Sequence, residues 1–254
     1  MKEIKYLSHL SRNFYLYFIL LFTYRLLNLI SPNPSLIVLG LFAFVVSYSP
    51  IYFLNDYTDI KEEKELSRAN LYLLINNEVG FWLLTVFLIL SGFLFTYYFF
   101  PSSFFILIVL YLLNFTYSFP PLRLRNKSSL REILIFVIYF FKWVLISSYW
   151  KLSFNYFPLP ILFMASSLAA LNVAMYKRHM KINKLSEYFF GFIFLIFWVI
   201  TVYSYRRVFL LFFPLLPVAI FLWFKYRRSQ IPIGHYQTLY FVYTVIIFLL
   251  FSRQ

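Results

Sequence analysis

The chain has 254 residues, of which 62% are hydrophobic and 25% aromatic, with a mean hydropathy of +0.76. Too little polar side chain is present to cover a soluble core of that size, so a water-soluble globular protein is excluded. The net charge of +14 suggests nucleic acid only for a soluble protein. In an apolar chain it is read as Lys and Arg gathered in the loops of one membrane face.

Apolar runs of about 18 to 22 residues recur along the chain, each long enough to cross roughly 30 Å of hydrocarbon as a helix. They are continuous rather than alternating, which excludes a β-barrel. In chain order the expected spans are 13–31, 35–55, 79–98, 102–118, 131–149, 158–176, 186–204, 207–224 and 235–252. The first run is too long for a signal peptide and lacks a small-residue cleavage site, so it is expected to stay as a helix. Pro32 and Pro34 break the chain after the first span. Pro101 separates the third from the fourth, and Pro120 and Pro121 end the fourth. The fold expected is all-α, a polytopic bundle of about nine transmembrane helices forming one integral membrane domain over residues 1–254. There is no cysteine, which excludes disulfides, thiolate metal sites and a cysteine nucleophile.

With the N-terminus in the cytoplasm, seventeen Lys and Arg fall on the cytoplasmic side and four on the other, while Arg25 and Lys142 lie inside spans. That asymmetry sets the expected orientation, with the chemically rich loops cytoplasmic and the C-terminus on the opposite side. Lys142 is expected to point inward, because an ammonium facing lipid is costly.

Three loops carry chemistry. After the second span, five of the nine carboxylates lie within residues 56–65. On a helix continuing from that span, Asn55, Asp56, Asp59 and Glu63 project to one side. Two carboxylates and an amide oxygen suit Mg²⁺, which takes oxygen ligands and keeps water to share with phosphate. Such an ion neutralises a diphosphate leaving group. The plainer reading is a solvated acidic loop paired with Lys61, Lys64 and Arg68. After the fourth span comes Tyr117-Ser118-Phe119-Pro120-Pro121-Leu122-Arg123-Leu124-Arg125. An extended segment there projects Arg123 and Arg125 to one side, where an arginine pair can grip phosphate. Its plainer reading is a positive-inside anchor. After the sixth span the chain is basic, with Lys177, Arg178, His179 and Lys181 and no carboxylate before Glu187.

These residues resemble the UbiA superfamily of intramembrane aromatic prenyltransferases, a family of nine membrane helices. Its first aspartate-rich motif, N-D-x-x-D-x-x-x-D, follows the second helix; here it reads Asn55, Asp56, Asp59 and Glu63. Its Y-S-x-P-P-x-R-x-K signature follows the fourth helix and is met by Tyr117, Ser118, Pro120, Pro121, Arg123 and Arg125. Arg68 is the nearest match to the arginine that commonly follows the first motif. The resemblance implies ionisation of an allylic prenyl diphosphate and transfer of its isoprenyl group to a membrane-associated acceptor. It assigns Asp56 and Asp59 to catalysis and to Mg²⁺, with Glu63 as a further metal ligand. Asn55, Arg68, Tyr117, Arg123 and Arg125 are then the diphosphate-binding set. The family's second motif, D-x-x-x-D after the sixth helix, is replaced by Lys177, Arg178 and Lys181. Either these neutralise the diphosphate directly, or catalysis has been lost and the protein binds a polyprenyl lipid or scaffolds a partner. An ion-coupled transporter is the third reading; coupling ions sit near the midplane, whereas these acids lie at the interface. The partners expected are a prenyl diphosphate, an acceptor and the lipid bilayer, with no nucleic acid.

Overall fold

The computed structural model describes the backbone over 2–29, 33–63, 77–119, 121–124, 128–152, 157–176, 184–220 and 233–252. Side chains are described there except at 2–12, 56, 59–63, 128–129, 176, 184 and 233–237. Among the described residues there is no strand, and beside a short helical stretch at 215–220 there are eight α-helices. They are α1 (Lys2–Leu26), α2 (Pro34–Glu63), α3 (Glu78–Phe99), α4 (Pro101–Ser118), α5 (Ser128–Tyr149), α6 (Leu159–Tyr176), α7 (Lys184–Tyr205) and α8 (Ile233–Phe251).

Local chemistry sets several boundaries. The Asn77 side chain accepts from the N–H groups of Val79 and Gly80 and caps α3. One residue, Phe100, separates α3 from α4, because Pro101 has no N–H to continue the first helix and its fixed φ suits the start of the second. The eighth expected span is interrupted: a 3₁₀ turn covers Val208–Phe212, and 215–220 is helical after it. Pro214 cannot donate to Leu210, and that carbonyl accepts from Trp198 Nε1 at 2.8 Å instead. The far end of this expected span, from 221, lies outside the described residues.

α2 contains Pro50 yet does not stop there. The pyrrolidine removes the N–H due to Val46 and loosens the ladder around it. In the next carbonyl along, Ser47 O accepts from the Tyr111 hydroxyl at 2.7 Å. α3 approaches α2 so closely that a Cβ on Gly92 would stand 2.6 Å from Ser47 Cα. The Tyr149 hydroxyl joins Ser47 Oγ on α2 at 3.1 Å and Thr96 Oγ1 on α3 at 3.0 Å. Ser148 Oγ donates to Ser103 Oγ on α4 at 2.8 Å. These hydroxyls supply the interhelical hydrogen bonds that packing in lipid favours.

Each helix from α1 to α6 packs on the next in sequence, and α7 packs on the 3₁₀ turn that follows it. α8 packs on α1 and touches α6, so the series closes on itself. The largest core joins α1, α2, α4 and α5 through Tyr17, Tyr24, Phe44, Leu107 and Leu145. Large apolar side chains face outward instead along α3 (Leu83, Phe87, Leu90, Leu94) and α7 (Tyr188, Phe192, Leu195, Val199). Among the described residues, four helical stretches are long and apolar enough to cross a membrane: Pro34–Asn55, Glu78–Phe99, Pro101–Ser118 and Leu185–Tyr205. Outward apolar surface on helices of that kind is what hydrocarbon solvates.

Candidate functional site

α2 continues as a helix through Glu63, so Asn55 and positions 56, 59 and 63 share one helical face, as the spacing requires. The side chains of Asp56, Asp59 and Glu63 lie outside the described residues, as does the whole of Arg68. Asn55 is half-buried, and its Oδ1 is buried with no hydrogen-bond partner in the structure. The opposite face is committed to packing. Tyr57 donates to Glu78 Oε1 at 2.7 Å and stacks on Phe81 with centroids 5.7 Å apart. Thr58 turns back onto Asn55 O at 2.8 Å.

Below Asn55 the same face carries Tyr52 and Tyr48, one turn apart. Lys142 of α5 is built into them. It is 2% exposed, its Nζ donates to the Tyr52 hydroxyl at 3.2 Å, and it stands 4.2 Å from the Tyr48 ring centroid and 4.5 Å from that of Tyr139. Ring faces attract a desolvated ammonium by about 2 kcal/mol or more. The inward orientation expected from the sequence is therefore observed, and tyrosines are among its partners. Asn114 of α4 joins the group through the Tyr48 hydroxyl.

α4 brings the second motif to the same level. The Tyr111–Ser47 bond fixes its register on α2, and seven residues further along each helix Ser118 comes abreast of Leu54, next to Asn55. Ser118 is fully buried and its Oγ has no hydrogen-bond partner; Tyr117 is half-buried beside it. The chain then turns, with Pro121 and Leu122 exposed. Arg123 is half-buried at φ 32°, its N–H donating to Phe119 O at 2.8 Å. This corrects the extended segment expected at 123–125. Pro121 begins a tight turn in which Arg123 takes a left-handed conformation, so the two-residue spacing no longer sets where Arg123 projects. Arg125 lies outside the described residues, as do Lys177, Arg178 and Lys181 beyond the end of α6.

A buried ion pair at the start of α5 has no counterpart among the residues singled out from the sequence. Arg131 Nε and Nη2 both reach Glu132 Oε1, at 2.9 and 2.5 Å, with the two side chains 5% and 1% exposed. Arg131 is thus no solvated loop cation. Nearby, Glu187 is also buried in the first turn of α7. An Arg-Glu dipeptide opening an apolar run was the available signal.

Two solved structures share this architecture. A UbiA homolog from Archaeoglobus fulgidus bound to Cd²⁺ superposes with a TM-score of 0.66 at 16% identity, covering 98% of each chain. A second structure of a UbiA homolog from the same organism gives 0.66 at 17% identity, covering 98% of this chain and 97% of that one. This chain has the UbiA fold. No protein-family model matches it, and no curated protein does. The UbiA fold, together with its apolar helices, makes it an integral membrane protein.

Proposed function

We propose that the protein is a membrane prenyltransferase that ionises an allylic prenyl diphosphate at the cytoplasmic end of the bundle. It transfers the isoprenyl group to an acceptor dissolved in or resting on the bilayer. The observation that carries this reading is Asn55: a buried amide oxygen with no partner, beside the helical face that bears positions 56, 59 and 63, in a UbiA fold.

An unpartnered buried oxygen costs about 1–3 kcal/mol unless something binds it, and an oxygen-seeking cation fits that need. Asp56, Asp59 and Glu63, with Asn55, are the residues to hold Mg²⁺; a UbiA homolog of this fold was solved with Cd²⁺. When bound, the ion offsets charge on the leaving diphosphate. Asn55, Arg68, Tyr117, Arg123 and Arg125 orient the diphosphate oxygens. Lys177, Arg178 and Lys181 supply positive charge where the family's second carboxylate pair is replaced. In the transfer, the allylic C1–O bond breaks and its electron pair leaves on the diphosphate. The acceptor's nucleophilic atom bonds to C1, and the proton it carried passes to the diphosphate. The three-tyrosine group around Lys142 forms a positively charged floor below the motif, which keeps the phosphate end up and the apolar tail apart.

The test is Mg²⁺-dependent release of diphosphate from geranylgeranyl diphosphate by purified protein, beside Asp56→Ala and Asp59→Ala. Release abolished by both substitutions supports the reading. Tight binding of the prenyl diphosphate with no release, across a panel of acceptors, replaces it with a lipid-binding protein of the same fold.

A further inference from the structure

A pocket of about 460 Å³ opens where the ends of α1 and α8 meet the 3₁₀ turn at Val208–Phe212. Arg25 and Arg207 line it together with Asn28 and Ser252, and Phe248 and Phe251 form an apolar wall beside them. Ring contacts hold that wall in place. Phe248 stacks on Phe22 with centroids 4.7 Å apart, and Phe251 lies 6.2 Å from Phe209 and 5.7 Å from Phe212. Among the described residues, neither guanidinium has a hydrogen bond or an ion pair. Arg25 is not needed to finish α1 either. Asn28 takes a left-handed conformation there, at φ 55°, and the N–H groups of Leu27, Asn28 and Leu29 already reach the carbonyls of Thr23, Arg25 and Tyr24. Arg206, by contrast, stands over the Tyr203 ring, 5.9 Å from its centroid, and is not part of the pocket.

The chain has no acid to offer these cations. Residues 4–55 and 188–254, which carry every element of the pocket, contain no Asp or Glu. The acids whose side chains are described, Glu78, Glu132 and Glu187, stand near the starts of α3, α5 and α7, at the end of the bundle that bears Asn55. The pocket lies at the other end. Two guanidinium groups on one concavity repel each other, and an anion shared between them relieves it. Their forks match phosphate oxygens, and the ring wall next to them suits hydrocarbon. A free phosphate uses only the first feature; a phospholipid uses both. A choline or ethanolamine headgroup brings its own cation and is disfavoured. We propose that this pocket binds an anionic phospholipid from the leaflet at this end of the bundle. Arg25 and Arg207 grip its phosphate, and Phe248 and Phe251 contact the start of an acyl chain. The site is independent of the prenyl-transfer reading.

The probe is dioctanoyl phosphatidylglycerol, titrated into the full-length protein in nonionic detergent and read by native mass spectrometry. Dioctanoyl phosphatidylcholine and inorganic phosphate are run beside it. Phosphatidylglycerol is expected to bind about tenfold more tightly than phosphatidylcholine, and inorganic phosphate is expected not to displace it. Arg25→Gln and Arg207→Gln are each expected to weaken phosphatidylglycerol roughly fivefold, the worth of one basic residue against an anionic headgroup. The double variant is expected to lose the preference over phosphatidylcholine. Arg206→Gln removes a neighbouring charge but no pocket residue, and is expected to leave the affinity unchanged. Phosphatidylcholine binding retained by the variants shows that they are folded. Equal binding of the two lipids, or unchanged affinity in both Arg25→Gln and Arg207→Gln, overturns the assignment. Displacement by inorganic phosphate overturns it in favour of a free anion. A loss in Arg206→Gln as large as in Arg207→Gln reduces it to general surface charge and overturns it too.

Discussion

Lys142 offers the sharpest separation of charge from packing. Replacing it by methionine keeps the length and volume of the side chain and removes the ammonium. The losses are a charged hydrogen bond to Tyr52, worth about 1.5–3 kcal/mol, and ring-face attraction of about 2 kcal/mol, given a 3.2 Å bond and centroids at 4.2 and 4.5 Å. The gain is the desolvation cost of an ion held at 2% exposure, several kcal/mol. These nearly cancel, so the melting temperature of Lys142→Met is expected to stay within a few degrees of the parent. Diphosphate binding is not expected to be spared. Tyr52 lies four residues below Asp56, about 6 Å of helix rise, which places the ammonium roughly 10 Å from a phosphate held there. At an effective dielectric of about 20, each unit charge at that distance is worth about 1.7 kcal/mol, or more than tenfold in affinity. The assay is titration of magnesium pyrophosphate into wild type and variant, with thermal unfolding alongside. Unchanged pyrophosphate affinity in a folded Lys142→Met protein refutes the electrostatic role and leaves Lys142 as a packing element.

Three further outcomes follow from the packing. Gly92→Ala forces a methyl to within 2.6 Å of the Ser47 Cα, and since backbone rather than a side-chain tip must move, a loss of about 1–3 kcal/mol is expected, read by unfolding in detergent. Tyr149→Phe deletes the hydroxyl shared by Ser47 and Thr96 and is expected to cost about 1–2 kcal/mol; an unchanged melting temperature shows those bonds to be idle. Glu132→Gln leaves the Arg131 guanidinium buried beside a neutral partner and is expected to cost about 3–5 kcal/mol. Adding Arg131→Met should recover most of it, and a double variant no better than Glu132→Gln contradicts the pairing.

Most of the helical plan was legible because lipid imposes it. Long apolar runs have few alternatives to helices, and Pro101 and Pro120 punctuate them where α3, α4 and the following turn meet. In the eighth expected span the hydropathy is continuous, whereas Pro214 breaks the hydrogen-bond ladder between the 3₁₀ turn and the helical residues 215–220; composition does not reveal that break. Arg123 misled for a related reason, since a two-residue spacing fixes direction only on an extended chain. The Lys142 orientation was readable from its cost in hydrocarbon. Its partners were not, because in a chain with 23 tyrosines no single Tyr48 or Tyr52 stands out. The Arg131–Glu132 pair was not legible, because neighbours in sequence do not ordinarily face each other on a helix. A long guanidinium that folds back onto the next side chain is a tertiary outcome.

The hydroxyl contacts around Tyr149 have a mechanical meaning. They tie α2, α3 and α5 near the ends of α3 and α5, and Ser148 adds α4 through Ser103. All of this lies in the half of the bundle away from Glu63. Toward Glu63, Tyr57 joins α2 to α3 through its bond to Glu78 and its ring contacts with Phe81 and Trp82. The bundle is therefore riveted at the end opposite Glu63, where loss of the Tyr149 hydroxyl alone loosens three helices at once.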